Sequence, residues 1–164
     1  MHSGRILAAQ QDDVCLIKLE GSITHTISAG FDLFITGALE DRTVTQFVID
    51  LRDVVHIDST NLGLLARIAR NQLARGEGSP VLVSVNPDVN TLLKSMGFDA
   101  VFVIVACSPA DVSCCREIPE RHPDRAQQLR TMLEAHRTLM ALNEKNRATF
   151  RTVVEALEAD GDES

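Results

Sequence analysis

Residues 46–65 read QFVIDLRDVVHIDSTNLGLL, and the change of character along this stretch decides the fold. Its first part, residues 46–51, has the near-continuous apolar run of a strand buried on both faces. Its last part opens a helix, because Leu62, Leu65, Ala69 and Leu73 recur at helical spacing. Between them Asp58, Ser59, Thr60 and Asn61 form a polar strand-to-helix turn. One such residue suffices as an N-cap, since a short side-chain oxygen satisfies one of the unpaired first-turn N–H groups. Four in succession exceed that requirement and mark the turn as a candidate site.

Working outward, residues 5–20 predict one or two strands around the turn QQDD, ending at Gly21. Phe31, Phe34, Ile35 and Ala38 then line one face of a helix over residues 28–39. After the helix that stops near Gly76, PVLVSV is a buried strand. NPDVNTLLKSMG carries its own punctuation, with Asn86 as N-cap, Pro87 at the first helical position and Gly97 as the stop. A last apolar run, residues 101–105, closes a series in which strands alternate with amphipathic helices. That alternation predicts an α/β fold with a mixed sheet of four to five strands and helices packed on it.

At 164 residues the chain accommodates one domain and an appendage. A net charge of −7 and the absence of Trp and Tyr argue against nucleic acid, which needs clustered cations or stacking aromatics. No segment approaches the roughly 20 apolar residues of a membrane span, and the first residues lack a signal-peptide core. A cytoplasmic protein is expected. Cys15, Cys107, Cys114 and Cys115 fit no zinc module, so they read as reduced structural thiols, and no metal or cofactor is expected.

Residues 107–123 contain three prolines and predict a linker between a domain over residues 1–106 and a helical extension over residues 124–158. Residues 159–164 are acidic and predict a disordered tail. Within the extension Leu129, Leu133, His136, Met140, Asn143, Arg147, Phe150, Val154 and Leu157 follow a 4-3 spacing. This suits either a long helix or helix pair packed on its own domain, or a seam for a second copy (a homodimer) or another partner.

Residues 6–105 resemble the STAS family, the anti-sigma factor antagonists of bacterial partner switching. VIDLRDVVHIDSTNLGLL is similar to the family's strand, D-S-[ST] turn and helix; LLKSMGFDAVFVI to its last helix and strand; LEGSI to its glycine-ended strand. The resemblance implies that Ser59 is phosphorylated by a partner that is both serine kinase and anti-sigma factor. It further implies that the unphosphorylated chain binds that partner, and that a metal-dependent serine/threonine phosphatase reverses the mark. Asp58, Thr60 and Asn61 of the turn, with Thr24 and His25 of the preceding loop, are the implied contacts. Two positions depart from the pattern. Asn61 stands where the family commonly has Gly, a residue suited to left-handed backbone, and Thr24 where it often has an acid.

Two other readings use the same turn. A hydrolase would employ His56, Asp58 and Ser59 as nucleophile and base, but no G-x-S-x-G elbow surrounds Ser59. A STAS module can also be a fixed subunit, for example of a lipid-transport ATPase, with the turn as an unmodified docking surface.

Overall fold

Residues 3–110 and 113–162 are described by the structure, a computed structural model. β1 (Arg5–Gln11) and β2 (Val14–Ile23) form a hairpin across Asp12 and Asp13, with Asp12 left-handed at φ 55°. Asp tolerates that conformation because its short side chain bonds locally. There follow α1 (Ser28–Glu40), β3 (Gln46–Ile57), α2 (Ser59–Ala74), β4 (Val81–Val83), α3 (Pro87–Ser95) and β5 (Val103–Val105). A short β6 (Arg116–Glu117) precedes α4 (Arg125–Met140) and α5 (Glu144–Asp162). Strand order is β5-β4-β3-β2-β1-β6, parallel from β2 to β5 and antiparallel around β1.

The mixed sheet with helices on it is the expected architecture, with particular differences. β3 continues to Ile57, beyond the expected end at residue 51, because Val54 and Ile57 still face the core while Arg52, Asp53, Val55 and His56 face out. The proline-rich segment is not a free linker. Its residues 116 and 117 add a sixth strand against β1, and Ile118 N–H donates to the Ile6 carbonyl at 2.7 Å. Ala110 and Cys115 cover the second face of the sheet over Leu16, Val48 and Val83. The acidic tail is also revised: residues 159–162 continue α5, and residues 163–164 lie outside the described residues.

The main core lies on the other face. Ile17, Leu19, Ile49, Leu51 and Leu82 from the sheet meet Phe31 and Ile35 of α1, Leu62 and Leu65 of α2, and Leu93 of α3. Leu139 of α4 and Phe150 of α5 belong to the same cluster, so the C-terminal extension is a helix pair seated on its own domain. The 4-3 repeat is thereby used within the chain: His136, Phe150 and Val154 are buried, while Arg147 faces solvent. The pair separates at Asn143, whose Oδ1 accepts Asn146 N–H at 2.8 Å as a helix cap does. Asn146 Nδ2 then donates to the Met96 carbonyl at 2.8 Å and to the Leu139 carbonyl at 2.9 Å, tying α5 to the end of α3.

Two local features carry predictions. Gly97 sits at φ 80°, and a Cβ there would overlap Asn143 Nδ2. Gly97→Ala is expected to destabilise the protein by at least about 1–2 kcal/mol in denaturant titration, from left-handed strain plus lost room. The second concerns Asp50, fully buried on β3. Burial pushes its carboxyl up, but the Arg52 fork outweighs this with Nε at 3.0 Å and Nη2 at 2.8 Å. The Arg52 N–H and the Lys18 charge add to it, and the carboxyl ends below its ordinary value. A carboxyl whose pKa is lower folded than unfolded stabilises fully above its unfolded value, about 3.9, and loses this as pH falls through the folded one. Arg52→Met is therefore expected to move acid unfolding, followed by circular dichroism, to higher pH; an unmoved midpoint would show the pair to be neutral.

Candidate functional site

The parallel ladder between β2 and β3 ends with Ile23 opposite Ile57, and Asp58 N–H donates to the Ile23 carbonyl at 3.0 Å. The loop after β2 and the turn after β3 therefore leave the sheet side by side, on neighbouring strands about 4.8 Å apart. Ligand and partner sites of open α/β sheets form at this end, outside the carboxyl ends of the strands and beside helix N-termini. Thr24 and His25 are thus brought next to Asp58, Ser59, Thr60 and Asn61. All six predicted residues share one rim.

Within the turn Asp58 is the N-cap of α2. Its Oδ1 accepts the Asn61 backbone N–H at 3.0 Å and Asn61 Nδ2 at 2.9 Å. The Asn61 amide is fully buried, and its Oδ1 accepts the Ser28 hydroxyl at 3.3 Å from the start of α1. Asn61 accordingly adopts ordinary helical backbone; Asp12 is the one non-glycine residue with positive φ among the described residues. The departure from glycine has a structural use here, since the side chain joins the first turns of α1 and α2. Thr60 is buried behind them, which leaves Asp58 and Ser59 as the half-exposed members of the turn.

Thr24 does not cap a helix through its side chain. Its Oγ1 lies 2.9 Å from Thr26 Oγ1, and His25 is exposed beside it. His56 points to solvent and is no partner of Ser59 in the structure, so the His56-Asp58-Ser59 arrangement of the hydrolase reading is not assembled.

Ser59 has a different partner. Its Oγ lies 2.8 Å from Nε2 of His136 on α4. The other ring nitrogen, Nδ1, lies 2.6 Å from the Met132 carbonyl, an acceptor only, so Nδ1 carries the hydrogen. In the neutral ring Nε2 then accepts the Ser59 hydroxyl. His136 is buried, with its ring 5.4 Å from that of Phe150 in an edge arrangement. One turn along α2, Gly63 runs so close to α4 that a Cβ would overlap the Ala135 carbonyl oxygen. The 4-3 repeat predicts a place for His136 but no role, and residue 28 reads only as the start of a helix. A glycine on the buried face of an otherwise regular helix was the available signal of close backbone approach.

Elsewhere the chemistry is sparse. Cys15 is a buried thiol that burial, chiefly, pushes up to about 12, so it is inert at neutral pH. Among the described residues no cluster of His, Cys, Asp or Glu is arranged to hold a metal ion, and no helix is long and apolar enough to cross a membrane.

Known structures share this architecture. The anti-sigma factor antagonist SpoIIAA in its unphosphorylated form matches with a TM-score of 0.52 and 19% identity, over 62% of this chain and 86% of that one. The phosphorylated form of the Bacillus cell fate determinant SpoIIAA gives 0.51 and 19%, over 60% and 88%. An anti-sigma factor antagonist from Mycobacterium paratuberculosis gives 0.54 and 21%, over 64% and 87%. At these identities the likeness is one of fold. The STAS domain family model matches residues 5–110, which span β1 to β5 and the whole of the rim. The chain therefore belongs to the STAS domain family.

Proposed function

We propose that this chain is a cytoplasmic anti-sigma factor antagonist whose docking to an anti-sigma factor with serine-kinase activity is switched off by phosphorylation of Ser59. The observation that carries the reading is the position of Ser59. It is the first residue of α2, half-exposed on a rim that Asp58, Thr24 and His25 share, and it is held there by a buried capping network. In the reaction Ser59 Oγ forms a bond to the γ-phosphorus of ATP, the bond to the departing ADP oxygen breaks, and the hydroxyl proton passes to a base on the kinase. A metal-dependent serine/threonine phosphatase restores the hydroxyl by hydrolysis.

The physical switch is local. Phosphate adds about −1.5 to −2 charge beside Asp58. The first turn of α2 tolerates an anion through its N–H groups and dipole, but an interface shaped around a neutral hydroxyl must desolvate that charge without a partner for it. Mass spectrometry of the protein from its own cells is expected to find phosphate on Ser59. In titration calorimetry against the co-purifying partner, Ser59→Asp is expected to bind at least about tenfold more weakly than Ser59→Ala, a difference of ~1.4 kcal/mol. Equal affinities would remove the switch. Recovery of a transport ATPase in place of a kinase would favour the fixed-subunit reading.

The Ser59–His136 contact favours a second reading, since a hydroxyl donating to an imidazole fixed through its other nitrogen is how nucleophilic serines are activated. Here the imidazole is oriented by a carbonyl, which supplies no charge to stabilise an imidazolium as a carboxylate would. No labelling of Ser59 by a fluorophosphonate is expected; stoichiometric labelling would establish a hydrolase.

A further inference from the structure

We infer that the helix pair α4–α5 is a built-in cover for the Ser59 turn: α4 seated on α2 and a partner docked at the turn exclude each other. The inference rests on the reading of Ser59 as the switch residue and concerns how access to it is controlled.

Three observations meet at this contact. The Ser59 hydroxyl is engaged by His136, a buried side chain held by Met132 and Phe150. Gly63 lets the backbones of α2 and α4 touch one turn further on, which leaves no room for another chain between them. Beyond that, Asp32 of α1 joins all three helices, with Arg67 of α2 at 2.7 Å and Thr131 of α4 at 3.0 Å. A partner that reads the first turn of α2 from this side meets α4 first.

The seat is also shallow enough to open. Ala135, His136 and Leu139 are the buried residues of α4, and of these Leu139 alone joins the main core, which is built mostly from the strands and α1–α3. At its far end from residue 125 the pair is held by Asn146, which donates to the Met96 and Leu139 carbonyls and makes no hydrogen bond to the turn. Local opening of such an element leaves the remainder folded. The linkage is reciprocal. A partner docked at the turn disfavours seated α4 by the same free energy as seated α4 disfavours the partner, and the Ser59–His136 bond is among the contacts that seating adds.

The test uses the full chain with Ser59→Cys, alkylated by iodoacetamide and read by peptide-resolved mass spectrometry, which separates residue 59 from the native cysteines. Leu139→Asp removes the apolar anchor of α4, and Asn146→Ala cuts the far latch without touching the turn. Each is expected to speed alkylation at residue 59, by at least about tenfold for Leu139→Asp and about threefold for Asn146→Ala, while buried Cys15 stays protected. Unchanged rates at residue 59 with Cys15 protected would overturn the cover. Should Leu139→Asp unfold, Cys15 labels rapidly and Asn146→Ala decides alone. The readout needs neither kinase nor phosphate, so it fails or succeeds independently of whether Ser59 is phosphorylated in cells.

Discussion

The parallel pairing of β2 with β3 is the constraint on which the rest depends. Ending with Ile23 opposite Ile57, it makes the chain leave the sheet twice at the same edge. Residues separated by more than thirty positions, such as Ser28 and Asn61, are thereby within hydrogen-bond reach. A slip by one residue would turn every side chain of β3 to the opposite face, taking Ile49 and Leu51 out of the main core and turning the buried Asp50 into it. The core face and the rim that carries the candidate site are thus fixed by the same register.

From that register the polarity of the turn acquires separate explanations. Asp58 satisfies the helix start, Asn61 satisfies Asp58 and Ser28 together, and Thr60 faces inward. Only Ser59 is left without a structural task inside the STAS domain, and the C-terminal helix engages it through His136. A family site made from local residues is in this chain combined with an element from outside the matched segment, which ends at residue 110.

Much of the fold was legible because its signals are local. Asn86, Pro87 and Gly97 delimit α3 as their chemistry predicts: the Asn86 oxygen accepts Asp88 N–H at 2.9 Å, and Gly97 is left-handed. β6 is not legible in the sequence because two exposed residues, Arg116 and Glu117, carry no periodicity; tertiary pairing with β1 alone makes them a strand. The end of α4 is hidden in the same way, because Asn143 fits the 4-3 repeat while its side chain acts as the cap of α5. At the site, Asp58, Ser59 and Asn61 were legible as a turn. The partner of Ser59 was not, since a contact between positions 59 and 136 depends on how the helix pair folds back.

The central claim is that α4 and a docking partner compete for the first turn of α2, with the Ser59–His136 contact holding α4 in place. Peptide-resolved hydrogen exchange on the full chain tests it most directly, comparing the natural sequence with Ser59→Glu, whose carboxylate replaces the hydroxyl that His136 accepts. The account predicts that amides of α4 exchange at least about tenfold faster in the variant while those of β2 and β3 keep their protection. Equal protection of α4 in both proteins would contradict it.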